Sequence, residues 1–218
     1  MDVFNKIAFT VFDQGVSWGE LIGDVTGVIC VYWLVRQVIW NWPMGLVNNV
    51  FFFILFASSH LYANAVLQIV FFLLGLYGWW QWAIARNDPA RPERVELPVR
   101  RTTKTEWRLM AAAAAVIWPA AWAFLVHYTE PAEPMWDSLT LALSLIATYA
   151  QAKKMLESWW IYIVVDAISV PLFFSQDLAL TALLFAFFGV LCVMGLRDWK
   201  RSLARTEGLT IEATEATA

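Results

Sequence analysis

Asp166 stands near the middle of the apolar run 158–175, where no Lys, Arg or His is at hand to neutralise it. An acid at the centre of a membrane span costs roughly 2.5–3.5 kcal/mol to insert, so it needs a partner, water or a ligand. Asn49 occupies a matching depth in the run 43–59, with Asn48 beside it, and Gln68 lies about two turns into 62–84. Amide and carboxyl groups held at one depth in apolar helices can hydrogen-bond a neutral or cationic polar solute. The structural alternative is an interhelical clamp, such as Asn49 with Asp166. Phe52, one turn beyond Asn48, and Trp159, which opens the run containing Asp166, are the candidate surfaces for a flat ring. His60 and His127 sit at span ends and are read as solvated helix-end residues.

No other chemistry is written into the chain. There is no HExxH, phosphate loop, nucleophile elbow or intramembrane His pair. Cys30 and Cys192 both sit among aliphatic residues, where a thiol behaves as a small hydrophobe. The expectation is therefore a binding protein, not an enzyme, with no metal and no cofactor. Without a buried cation, a phosphate or nucleotide is a poor ligand, and no nucleic-acid partner is implied.

The elements that position these groups follow from composition. Of 218 residues, 60% are hydrophobic and 15% charged, against about 25% charged in a soluble domain. That excludes a disordered chain and an ordinary soluble enzyme. Apolar segments fall at 20–36, 43–59, 62–84, 107–127, 137–152, 158–175 and 178–196. Residues 1–19 form an amino-terminal segment in which Phe4, Ala8, Val11 and Phe12 recur at helical spacing, the pattern of a helix lying on the membrane surface. A linker, 85–106, contains Pro89, Pro92 and Pro98. Residues 200–218 form a tail, and its end after Leu203 reads as disordered.

Charge sets the orientation. With seven spans, 14 of the 15 Lys and Arg residues fall on one side and only Lys6 on the other. Basic loops stay cytoplasmic, so the amino terminus is expected outside and the carboxyl terminus in the cytoplasm. Six or eight spans would split the basic residues. The tryptophans at the cytoplasmic ends (Trp42, Trp79, Trp80, Trp82, Trp159, Trp160, Trp199) are read mostly as interfacial belt residues.

A shift of 117 residues aligns 20–82 with 137–199 without a gap. Trp42 meets Trp159, Tyr32 meets Tyr149, Gly78 meets Gly195, Trp82 meets Trp199, and Asn49 meets Asp166. The predicted fold is an all-α membrane protein: seven transmembrane helices arranged as two parallel three-helix repeats, 20–84 and 137–199, joined by a linker helix at 107–127. Such repeats occur in transporters, with the substrate at their interface near the midplane.

Several stretches together resemble the PnuC family of nicotinamide riboside transporters over almost the whole chain. They are Trp18-Gly-Glu20, Gly45-Leu-Val-Asn48, Leu61-Tyr-Ala63 with Leu67-Gln68, Tyr77-Gly-Trp79 with Trp82, Trp136-Asp-Ser138, Glu157-Ser-Trp159, Asp166-Ala-Ile-Ser169 and Gly195-Leu-Arg-Asp-Trp199. The resemblance implies uptake of nicotinamide riboside, a precursor of NAD, across a bacterial inner membrane by facilitated diffusion through a SWEET-like 3+1+3 fold, which makes the outer side of the membrane the periplasm. It also implies a homotrimer, and trapping of the vitamin by a cytoplasmic kinase. It puts Asn48, Gln68 and Asp166 at ligand positions, while Gly75 replaces an Asn common in the family. Related carriers of the same fold handle thiamin, the alternative substrate. A non-transporting membrane sensor module is the alternative of another class.

Overall fold

A computed structural model describes residues 7–11, 14–58, 60–86, 97–129 and 133–216. Among the described residues seven helices carry the fold: α1 (Trp18–Val35), α2 (Asn41–Ser58), α3 (Tyr62–Arg86), α4 (Lys104–Tyr128), α5 (Pro134–Ala152), α6 (Ser158–Ser175) and α7 (Ala179–Ala216). Among the described residues, α3, α4, α6 and α7 are long and apolar enough to cross a membrane. The other three contain more polar side chains, Asn41, Asn48 and Asn49 on α2 and Gln151 on α5 among them. At 18 or 19 residues they still reach about 27 Å, close to the thickness of a bilayer core. Large apolar side chains such as Leu109, Val116 and Leu73 stand exposed on the outer surface, as contact with lipid tails allows.

Six helices close a ring. α1 packs on α2, α2 on α3, α3 on α5, α5 on α6, α6 on α7, and α7 returns to α1. α4 lies outside the ring against α5. Every contact of the first three-helix unit has its counterpart in the second, which is the two-repeat arrangement expected from the 117-residue shift.

The turns repeat as well. Gln37 and Lys154 have φ of 57° and 48°, and His60 and Asp177 have φ of 61° and 60°. Each ends a helix in the left-handed conformation, and the next amide reaches back five residues. Val38 N–H donates to Trp33 O at 2.8 Å and Met155 N–H to Ala150 O at 2.9 Å. Leu61 N–H donates to Phe56 O at 2.8 Å and Leu178 N–H to Phe173 O at 2.9 Å. Glycine usually fills this position, and a non-glycine residue there costs of order 1–3 kcal/mol. The same cost recurs at both equivalent pairs.

Three expectations need correction. The amino-terminal segment is an antiparallel hairpin, β1 (Ile7–Val11) and β2 (Gln14–Ser17), not a surface helix. Ile7, Phe9 and Val11 alternate, and that period of two wins over the helical spacing; Phe4 and Phe12 lie outside the described residues. The tail is not disordered from Leu203, since α7 continues to Ala216 through a run that contains three Ala and three Glu, both good helix formers. Four of the tryptophans read as belt residues are core: Trp42 is 6% exposed, Trp82 3%, and Trp159 and Trp199 0%. Trp79, Trp80 and Trp160 are exposed and suit the interface.

The buried four pack against one another. Trp42 meets Trp82 edge-on at 5.6 Å, and Trp159 meets Trp199 edge-on at 5.3 Å. Trp82 and Trp199 join the two pairs at 6.4 Å. Each pair wedges against a glycine. A Cβ at Gly78 would overlap the Trp42 ring, and one at Gly195 would overlap the Trp159 ring. This explains why Trp and Gly match together in the repeat. Lys154 spans the units beside them, its Nζ donating to Gln37 Oε1 at 3.0 Å and lying 4.3 Å from the Trp82 ring centre.

The end of the linker is fastened to the second unit. Arg100 N–H donates to Lys154 O, and Leu156 N–H donates back to Arg100 O. The Thr102 amide and hydroxyl both donate to Glu157 Oε2 at 2.7 Å. Arg100 grips Glu106 with two bonds of 2.7 and 2.8 Å, and that pairing raises the basicity of its guanidinium. A capping box between Thr103 and Glu106 starts α4 at Lys104, three residues before the expected 107. Pro89 and Pro92 lie outside the described residues.

Candidate functional site

A cavity of about 350 Å³ lies inside the ring and is lined by all six of its helices. α2 and α6 contribute the most polar and aromatic lining: Asn41, Trp42, Asn48 and Asn49 from one, Trp159, Tyr162 and Asp166 from the other. α5 adds Ser144, Thr148 and Gln151, and α1 adds Cys30. The chamber runs from mid-helix to the end carrying the basic loops, where the four-tryptophan core closes it.

Polar atoms left without partners define its chemistry. Asn41 Oδ1, Trp42 Nε1, Trp159 Nε1 and Asp166 Oδ2 are all buried with no hydrogen-bond partner among the described residues. All four belong to residues lining this cavity. Two are donors and two are acceptors. An unsatisfied buried polar atom costs about 1–3 kcal/mol, so a ligand offering both donors and acceptors recovers a substantial energy here. Asp166 is 6% exposed and backed by Gly189, and Cys192 lines the same chamber. Among the described residues, no Lys or Arg lines the chamber.

Asn48, Thr148, Tyr162 and Cys30 are already engaged within the protein. Asn48 Nδ2 donates to the Gly23 carbonyl at 3.0 Å and to Thr26 Oγ1 at 2.6 Å, which fixes its amide against α1. The Tyr162 and Thr148 hydroxyls are 2.7 Å apart, and Thr148 Oγ1 donates to Ser144 O at 2.8 Å. The Cys30 thiol contacts Asn41 O at 2.9 Å. Both cysteines are free.

Of the candidate residues, the chamber gathers Asn48, Asn49, Asp166 and Trp159. Gln68 lies elsewhere, in a small outer groove with Val50, Phe53 and the far side of Asn49. Phe52 packs on Gly23 and stacks on Phe56 at 5.7 Å, away from the chamber. Ser144, Thr148, Gln151 and Tyr162 were not among the sequence candidates. The 117-residue shift carries a signal for them, since it maps Gly27, Val31, Leu34 and Gly45 onto them.

A large central chamber shared by two parallel repeats is the architecture of a small-molecule carrier. The Nicotinamide mononucleotide transporter family matches the chain over residues 17–201. The chain belongs to this family. The transporter is 34% identical over 200 residues to the riboflavin/roseoflavin transporter RibM of Streptomyces davaonensis, covering 91% of this chain and 92% of that one. It is 26% identical over 215 residues to the nicotinamide riboside transporter PnuC of Escherichia coli, covering 88% and 89%. In fold it is similar to the crystal structure of the vitamin B3 transporter PnuC, with a TM-score of 0.65 and 23% identity over 86% of this chain and 83% of that one. The transporter is thus a multi-pass membrane protein of a vitamin-carrying family.

Proposed function

We propose that this transporter takes up a vitamin built from a flat heteroaromatic ring and a hydroxylated chain, by facilitated diffusion, with riboflavin as its substrate. The observation that carries this reading is the chamber between the repeats, with its two orphan donors, two orphan acceptors and aromatic walls. Flavin carbonyls and ring nitrogens accept from indole N–H groups, and ribityl hydroxyls donate to Asn41 and Asp166. Asn49 and Trp159 complete the contacts, while Asn48, its amide held on α1, shapes the wall. The 34% identity to a riboflavin carrier, against 26% to a nicotinamide riboside carrier, favours riboflavin.

A second reading, nicotinamide riboside, is favoured by one observation: a buried carboxyl with an unpartnered oxygen suits a cationic ring. In either case the units 20–84 and 137–199 rock about the ligand while the helix at 107–127 restores their parallel orientation. The tryptophan core at the basic end parts to release the vitamin. The orientation set by the basic loops makes that end cytoplasmic. A cytoplasmic kinase then traps the product by phosphorylation, and the exposed outer faces are available for assembly as a homotrimer.

A binding panel on the purified protein tests the reading. Riboflavin is expected to saturate, with nicotinamide riboside weaker and thiamin weaker still. The 5′-phosphates of both nucleoside-like ligands should bind poorly, because no cation lines the chamber. Saturation by nicotinamide riboside alone selects the second reading, and saturation by none of them removes both.

A further inference from the structure

The two halves of the chamber are not equivalent, although the repeat makes them so in backbone. Where the first repeat places Gly27, Val31 and Leu34, the second places Ser144, Thr148 and Gln151. Where the first has Gly45 and Gly75, the second has Tyr162 and Cys192. At these five pairs one wall is small or apolar and the other is bulkier or polar. Asn48 does not offset this, because its amide group is turned onto α1.

Helix packing does not require a glycine at Gly27 or Gly45, and at Gly75 it asks only that one side chain shift. A Cβ at Gly27 would meet only Phe188 Cζ at 3.9 Å, and one at Gly45 only Cys30 Sγ at 3.5 Å, both ordinary contacts. At Gly75 it would meet Leu46 Cδ2, the movable end of a side chain. Gly78 and Gly195 differ, since rigid indoles fill the space there. Glycine within a helix lowers its stability, so glycines whose Cβ the fold would accept are spent on something other than packing. Their shared property is that they face the chamber.

We propose that the substrate lies across the chamber in one orientation, its ring system against Gly27, Gly45 and Gly75 and its hydroxylated chain toward Ser144, Thr148 and Gln151. The glycines then set the largest ring the carrier accepts. This rests on the vitamin-binding reading above and deepens it to a pose and a size limit. A flat ring needs a wall it can approach closely, and three glycines leave that wall bare. Hydroxyl groups need donors and acceptors at several heights, and α5 presents Ser144, Thr148 and the buried amide of Gln151 on successive turns.

Gly27→Val and Gly45→Val test the proposal, with Gly45→Ala as a milder variant. Binding is measured for riboflavin and for 6,7-dimethyl-8-ribityllumazine, which has the same ribityl chain on two rings instead of three. Riboflavin affinity is expected to fall about tenfold or more in the Val variants, with the two-ring ligand changing much less. Ser144→Ala and Thr148→Ala should weaken both ligands alike. Thermal unfolding of Gly45→Ala should match or exceed the wild type. Equal losses for both ligands in the glycine variants, or no loss, overturn the pose. Wild-type protein that binds neither ligand overturns the riboflavin reading itself.

Discussion

Truncating Asp166 separates a binding group from a structural clamp. Its carboxyl is 6% exposed and Oδ2 has no partner, so the side chain carries the cost of an unsatisfied buried acceptor, about 1–3 kcal/mol. Asp166→Ala removes that cost. The packing lost with one carboxyl group is of the order of a buried methylene, about 0.8 kcal/mol. The balance runs from neutral to stabilising by about 2 kcal/mol, and the melting temperature in detergent should hold or rise. A ligand that donates to this carboxylate loses about 1.5–3 kcal/mol, or about 10- to 150-fold in affinity. Calorimetry of the same sample measures that loss. Asp166→Asn refines the outcome: riboflavin should stay within a few-fold of wild type, whereas a cationic ring would lose as much as with alanine. A lower melting temperature combined with unchanged affinity would refute the reasoning and make Asp166 a clamp.

The remaining expectations concern the packing around the chamber. Gly195→Ala and Gly78→Ala force a buried indole out of its seat, and each should destabilise by about 1–3 kcal/mol in a thermal melt, while Gly27→Ala should not. Lys154→Ala removes the bond to Gln37 and the contact over Trp82, and should lower stability by about 1–3 kcal/mol. Arg36→Ala should change the melt little, since its pair with Asp198 is 3.7 Å long and the Arg36 side chain is 60% exposed. Gln68→Ala, outside the chamber, should leave affinity nearly unchanged.

Much of this was legible in the sequence. Apolar runs located all seven helices, because a membrane span needs length and hydrophobicity and little else. Trp42 with Trp159 and Gly78 with Gly195 disclosed the repeat, because an indole wedged on a glycine tolerates few substitutions at either partner. What stayed hidden depends on helix rotation. Gln68 and Asn49 share a depth, but depth does not say which face turns inward, and Gln68 faces an outer groove. A tryptophan at a helix end fits an interfacial belt and a closing core equally well until the neighbouring helix is placed; Trp199 went to the core, where its Nε1 donates to Leu34 O at 3.3 Å. The hairpin at Ile7–Ser17 was missed because five residues satisfy both a helical and an alternating pattern. Ser144, Thr148 and Gln151 carry no motif of their own, and only the chamber opposite the glycines gives them a place.

The most direct test of the central claim is counterflow in proteoliposomes carrying the purified protein and no ion gradient. Vesicles preloaded with unlabelled riboflavin should transiently accumulate labelled riboflavin from outside, and Asp166→Ala should reduce that accumulation sharply. Absence of counterflow for riboflavin and for nicotinamide riboside, or uptake that appears only when an ion gradient is imposed, would contradict a facilitated carrier built around this chamber.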